Sequence, residues 1–180
     1  LVGLSVSSIR AFRHTASVVA LWTIGALSAQ LEQVRESYDV AVKQRDAEAR
    51  RTSSSSISNR TRLVHTAHKM EQLDTQRDTF DAHLDDLVTQ VFGPRSRDFD
   101  AAIRLDCMEQ LGQWLIVYPT QYMQTFYYKH LGAALSDPDA SVRACALRGV
   151  HGVLRAAHAA KLAPFVEEHK ARMMDMALYD

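Results

Sequence analysis

The sequence is short of the residues that break helices, and it has no excess of either charge. Four prolines and seven glycines are spread through 180 residues. The glycines stand singly, so there is no glycine-rich loop of the kind that cradles phosphates. Lys plus Arg equals Asp plus Glu at 21 each. Whole-chain charge therefore selects no partner, and a surface for nucleic acid or an acidic segment has to be a local patch. The two cysteines, Cys107 and Cys145, fall on apolar helical stripes. They read as reduced core thiols of an intracellular protein, not as a disulfide framework. The longest uncharged run of interest, residues 16–29, is shorter than the ~20 residues of a spanning helix. Arg10, Arg13 and His14 precede it and Glu32, Arg35 and Glu36 follow, so it reads as a buried core helix. No basic leader or start methionine precedes it, which argues against a signal peptide. With both ends inside helical patterns, the chain is expected to be an excerpt of a longer protein.

What is present is helix throughout. Residues 6–50 hold no proline and one glycine, Gly25, which predicts a single long helix on the order of 67 Å in length. Ile9, Phe12, Val19, Trp22, Ala26 and Leu27 give its first half a broad apolar surface, expected to be buried between neighbours. From Leu31 the stripe thins to Leu31, Val34, Tyr38 and Ala41 while charge rises. That change predicts a helix leaving a core to form one arm of a two-helix projection. A serine-rich loop over 52–60 follows, low in complexity and expected to be mobile. The sequon at Asn59 is not expected to be used in an intracellular chain. The return helix has the clearest heptad: Leu63, Thr66, Met70, Leu73, Arg77, Phe80, Leu84, Leu87 and Val91, with Arg77 its one charged member. Residues 31–50 and 61–91 are expected to pair as an antiparallel hairpin.

Gly93-Pro94 is predicted to stop the return helix. A short basic corner follows, Arg95-Ser96-Arg97-Asp98. Ile103, Cys107, Leu111, Trp114, Leu115 and Tyr118 form the next stripe, which Pro119 ends. Tyr122, Met123, Phe126, Tyr127 and Leu131 are assigned to one further helix. A last helix, carrying Phe165, Met173, Met176 and Leu178, is placed after Pro164. Between them lies the most informative stretch, residues 135–150. One helix runs into Ser136-Asp137-Pro138-Asp139 and a second starts at once, with Asp137 suited to cap it and Pro138 suited to its first turn. Val142, Ala146, Leu147, Val150, Val153 and Leu154 then recur at helical spacing. Two short helices, an Asp-Pro turn and Val-Arg on the second helix resemble a HEAT repeat. That resemblance implies that Asp137 or Asp139 and Arg143 bond within and between stacked repeats.

Candidate chemistry is sparse. His65 and His68 are three apart near Glu71 and Asp74, but no further ligands converge, and they read as solvated helix residues, not as a metal site. His14 reads as a hydrogen-bonded packing residue. No nucleophile–base set has a supporting motif, so no enzymatic activity, metal or cofactor is expected. Three adjacent aromatics, Phe126, Tyr127 and Tyr128, cannot all face inward, so at least one is expected at the surface or an interface. Arg95, Arg97, Arg104, Lys129, Arg143, Arg148 and Arg155 lie where stacked repeats could align them into a ridge that contacts phosphates without reading bases. A solvated face with internal salt bridges to Asp98, Asp137 and Asp139 is the alternative, and the sequence leaves both open.

A longer run of motifs points to one family. Ile9-Arg10-Ala11-Phe12-Arg13-His14-Thr15, Arg95-Ser96-Arg97-Asp98, Ile103-Arg104, Cys107-x-Glu109-x-x-Gly112-x-Trp114-x-x-x-Tyr118 and Lys129-x-x-Gly132-x-x-Leu135-x-Asp137 occur in order. Val142-Arg143 and then Phe165, Lys170, Arg172 and Met173 follow. Together they resemble the stromal antigen (stromalin) family, the HEAT-repeat subunit of cohesin, over nearly the whole chain. The resemblance implies an all-α, HEAT-like solenoid fragment with a long protruding antiparallel hairpin. Residues 1–91 would be the segment bearing the hairpin, and 92–180 the stromalin conservative domain. It implies a non-enzymatic nuclear, chromatin-associated role in sister-chromatid cohesion. The implied partners are the kleisin subunit, double-stranded DNA, and cohesin loader and release regulators, with no membrane. Arg95, Arg97, Lys129, Arg143 and Arg172 are the residues assigned to DNA phosphates. The second reading is a peptide-docking adaptor for regulators without DNA binding, using Arg97, Lys129, Phe165 and His169. Vertebrate relatives hold Phe- or Tyr-containing motifs in a pocket whose aromatic members fall here on Ser96, Ala133 and His169, with Phe165 retained. Loss of that apolar area implies a weaker grip on such motifs.

Overall fold

The computed structural model describes residues 1–51 and 57–179. Among them every regular element is helical: α1 (Val2–Ser5), α2 (Arg10–Arg51), α3 (Ile57–Leu87), a π-helical turn (Val88–Phe92), α4 (Gly93–Arg95), α5 (Ala101–Val117), α6 (Pro119–Tyr122), α7 (Thr125–Ala134), α8 (Ala140–Arg155) and α9 (Ala159–Tyr179). Most of the expected serine-rich loop lies outside the described residues, and α3 begins at Ile57, within its predicted span. The chain forms two compact units, Leu1–Gly25 with Leu87–Asp180, and Ala26–Asp86.

In the first unit, α2, α5 and α8 begin with the same local device. A side-chain oxygen accepts the N–H two residues ahead: Ser7 from Ile9 at 3.2 Å, Asp98 from Asp100 at 2.9 Å, and Asp137 from Asp139 at 2.9 Å. Six residues on, an arginine returns Nη1 to the carbonyl of that same residue: Arg13 to Ser7 (2.8 Å), Arg104 to Asp98 (2.7 Å) and Arg143 to Asp137 (2.9 Å). The first two arginines also reach forward. Arg13 Nε meets Asp98 at 3.1 Å, while Arg104 Nε and Nη2 both meet Asp137 at 2.7 Å. The result is a ladder of charge-assisted hydrogen bonds that registers each helix on the next. Burial pushes the Asp137 carboxyl up, but the Arg104 bond and the Asp139 N–H outweigh it and hold it below the usual carboxylate range.

This ladder corrects the expected cap. Asp137 is already committed to Arg104 and to the Asp139 N–H, so Asp139 caps α8, accepting from Ser141 N at 2.8 Å. Pro138 stands between the two aspartates, ahead of the helix. Asp100 caps α5 in the same way, accepting from Ala102 N at 3.0 Å.

The buried face of α2 is also not the one its large apolar residues suggest. Arg13, Ala16, Ser17, Ala20, Leu21 and Ile24 are buried, whereas Ile9, Phe12, Val19 and Trp22 are exposed, Trp22 at 71%. The ladder fixes Arg13 inward, which turns the small residues on its side inward with it. Large side chains at the other angle have no place there. On α8, Leu154 is likewise exposed while Val142, Ala146, Val150 and Val153 are buried.

Gly93-Pro94 does not stop the return helix. A π-helical turn over Val88–Phe92 carries Gly93 N to Val88 O, and helical backbone continues to Arg95. The wider turn offsets Pro94's missing donor and places Val91 and Phe92 at 0% exposure. Phe92 packs its ring at 5.6 Å from Trp114, 6.0 Å from Tyr127 and 5.2 Å from His130. The helix expected over Tyr122–Leu131 is split at Met123–Gln124, where the backbone becomes non-helical. The break lets Tyr122 stack on Trp114 at 5.1 Å and meet Tyr127 edge-on at 4.8 Å. Of the three adjacent aromatics, Phe126 is exposed, as expected of at least one. The last helix starts at Ala159, with Pro164 inside it; buried Leu162 and Phe165 on either side hold it through the lost hydrogen bond. Helices α5 and α8 touch backbone to backbone, since a Cβ on Gly112 would lie 3.3 Å from the Gly149 Cα.

The second unit is the antiparallel pair of α2 and α3. Leu31, Val34 and Ala41 on α2 and Thr66, Met70 and Leu84 on α3 are buried, as the narrow seam predicts. Glu48 accepts from Thr66 Oγ1 at 3.2 Å, and Arg35 lies 3.9 Å from Asp81. Arg77, the charged heptad member, pairs with Asp74 and Asp78 on its own helix.

Candidate functional site

Helices α7 and α9 form the walls of an open groove of ≈ 570 Å³, lined by Tyr128, Lys129, Gly132 and Ala133 from one and Phe165, Glu168 and His169 from the other. Spacings of three and four place each set on one helical face. Three rings run along it: Tyr128 to Phe165 at 5.5 Å and Phe165 to His169 at 4.4 Å. His169 seats against bare backbone, because a Cβ on Gly132 would lie 2.5 Å from its Nε2. The groove thus joins Lys129, Phe165 and His169, three of the four residues assigned to peptide docking. Arg97, the fourth, is exposed in the turn before α5 and is not among the lining residues.

Ser96 beside it is turned into the fold. Its hydroxyl donates to Gly93 O at 2.8 Å and lies 2.8 Å from His130 Nδ1. A hydroxyl has one proton to give, so His130 donates through Nδ1 and is the Nδ1–H tautomer. Burial lowers the His130 pKa, and the positive charge of Arg97 lowers it further. The unfolded chain therefore takes up this proton at higher pH than the folded one. Stability from this group is complete above the usual His value of about 6.5 and falls as pH drops through it. Replacing His130 with Gln should flatten the decline in urea-unfolding free energy between neutral and mildly acidic pH.

The basic residues divide sharply. Arg95 Nη1 pairs with Asp98 at 2.5 Å, Arg143 returns to the Asp137 and Pro138 carbonyls, and Arg172 Nε donates to Leu135 O at 2.9 Å, closing the C-terminus of α7. These three of the five residues assigned to phosphates are engaged by the fold. Arg97 and Lys129 are exposed. Arg104, a member of the anticipated ridge, is a rung of the ladder instead. Sequence reasoning missed Arg13 as a structural residue, and the only available signal was its place six residues after Ser7, matching Asp98–Arg104 and Asp137–Arg143. His14 meets Asp106 at 2.6 Å, in line with its reading as a hydrogen-bonded packing residue. Both cysteines are buried with their thiol pKa raised, foremost by desolvation. Among the described residues, no helix is long and apolar enough to cross a membrane.

Comparison with known proteins places this arrangement. The STAG domain model matches residues 1–72 and the stromalin conservative domain model residues 97–170. The chain is 29% identical to cohesin subunit psc3 of Schizosaccharomyces pombe, over 99% of this chain and 18% of that protein. It is 31% identical to cohesin subunit SA-3 of Homo sapiens, over 99% of this chain and 14% of the relative. The structure of cohesin subunit Scc3 from Z. rouxii superposes with a TM-score of 0.89 at 21% identity, covering 99% of this chain and 20% of that one. The chain therefore spans less than a fifth of the length of these curated relatives, and the structural match bears on the fold. Two domain models in sequence order, and relatives aligned from end to end of these residues, establish that the chain belongs to the stromalin (STAG) family.

Proposed function

We propose that this chain is a non-enzymatic scaffold segment of a cohesin subunit, acting on nuclear chromosomes in sister-chromatid cohesion and cohesin loading. Its stacked repeats would present a fixed surface to the kleisin subunit, to loader and release regulators and to double-stranded DNA. The observation that carries this reading is the Arg13–Asp98 and Arg104–Asp137 ladder, which uses buried charge to hold helices in register. Charge used to stack helices serves a rigid platform. Arg97 and Lys129 are the exposed members of the phosphate-contacting set. Anisotropy of labelled duplex DNA across a salt series tests this. Arg97→Glu with Lys129→Glu should weaken binding and reduce the slope of log K against log salt by about 2, one per phosphate contact. Binding unchanged by both substitutions would remove these residues from a DNA role.

The groove of Lys129, Phe165 and His169 favours a second reading, docking of a regulator peptide without DNA contact in this segment. Motif-dependent peptide binding that survives high salt would select it.

A further inference from the structure

Helix α8 turns Val142, Ala146, Val150 and Val153 into the core but leaves a second apolar line, Ala144, Leu147 and Leu154, outside it. With Met173 of α9 these three line an open groove of ≈ 560 Å³, and Arg148 and His151 are among its walls. Its lining residues differ from those of the groove that holds Lys129, Phe165 and His169. The charge beside it is of one sign. Residues 140–166 contain four Arg or Lys and two His, with no Asp or Glu. Arg148, His151 and Arg155 are exposed and follow one another at spacings of three and four, so they edge the groove along one side. Arg148 also borders the cleft between α5 and α8, where it faces Glu109. Arg155 stands about 10 Å further along the helix.

We infer that the groove between α8 and α9 docks an amphipathic helix of a partner protein, one with leucine-like side chains on its inner face and carboxylates along one flank. The leucine-like face fills the line of Leu147, Leu154 and Met173, and the carboxylates meet Arg148 and Arg155. The two arginines are seven residues apart, so acids at heptad spacing on the partner face both of them. A phosphate backbone would use the same arginines but leave the apolar wall wet, so a helix fits this surface better than duplex DNA. The inference goes beyond the scaffold reading and uses residues separate from Arg97 and Lys129.

The test uses the full chain and three labelled designed peptides of about 20 residues, long enough to form a helix. The first has leucines at alternating spacings of three and four with glutamates along one flank. In the second those glutamates are lysines, and in the third the leucines are serines. Wild type is compared with Arg148→Glu plus Arg155→Glu and with Leu154→Asp, all at exposed positions, with helicity checked by circular dichroism. Wild type should prefer the first peptide to both others in fluorescence anisotropy. The charge-reversed protein should lose at least about tenfold in affinity for it and gain affinity for the lysine peptide. Leu154→Asp should lose about tenfold or more, through the apolar contact. Arg97→Glu with Lys129→Glu should bind the first peptide as wild type does; a loss there would move the peptide to the other groove and overturn the site. No binding of the first peptide, equal binding of the serine peptide, or a charge-reversed protein that keeps the wild-type preference would each overturn the inference. So would a labelled duplex that binds wild type, fails on the charge-reversed protein and is indifferent to Leu154→Asp, since that pattern assigns the face to phosphates.

Discussion

Asp98→Ala should destabilise the first unit by about 3–5 kcal/mol, the range for breaking a buried ion pair from one side. The Asp98 side chain is fully buried and Arg13 is 2% exposed. Asp98 also accepts from Arg95 Nη1 and from the Asp100 N–H, so one carboxylate serves two guanidiniums and a turn. Removing it leaves the Arg13 charge sealed in the interior with backbone carbonyls as its remaining named acceptors. The outward face of Arg13 stacks on the Phe99 ring at 4.2 Å, which cannot replace a carboxylate. Urea unfolding of the full chain, followed by circular dichroism, measures the loss. A double replacement of Arg13 and Asp98 by apolar residues of similar volume should recover much of it, because no orphaned charge remains. A single-site loss under about 1 kcal/mol would mean that the ladder is ornamental to stability.

Phe92→Ala is expected to cost about 3–5 kcal/mol through lost burial and the cavity left behind. The Phe92 ring meets those of Trp114, Tyr127 and His130 at once. Its removal also takes away the reason for the wide turn, since the ring is what the extra backbone residue delivers to the core. Leu at the same position should recover part of the stability but not the ring contacts. Near-ultraviolet circular dichroism around Trp114 should weaken in Phe92→Ala and persist in a control at exposed Phe99. Unchanged stability would show that the aromatic cluster closes without Phe92.

The hairpin was the most legible part of the sequence. Its seam repeats at three and four with no competing apolar face, so periodicity alone identifies Leu31, Val34, Met70 and Leu84 as buried. The first half of α2 was misread for the opposite reason. Hydrophobicity ranks Phe12, Val19 and Trp22 above Ala16, Ser17 and Ala20, but the ion pair of Arg13 decides which side of the helix is buried. Arg13 was invisible as a core residue because a buried arginine is acceptable only beside a partner 85 positions away. The same limit applies to the candidate site. Arg95, Arg143 and Arg172 look like surface cations until their acceptors are known, and most of those acceptors are backbone carbonyls, which carry no sequence signal. Lys129, Phe165 and His169 lie on two separate helices, and no spacing rule joins them; family resemblance did.

The ladder also sets a timetable for synthesis. The partner of Arg13 lies beyond the entire hairpin unit, so at roughly 5–20 residues per second Arg13 is added to the chain about 4–17 s before Asp98 is. During that interval the first half of α2 lacks the partner of its buried charge, and its own unit cannot close. The hairpin, whose pairing is local, is complete first. A released chain ending before Asp98 should therefore carry a protected hairpin beside a protease-sensitive stretch over the first 25 residues.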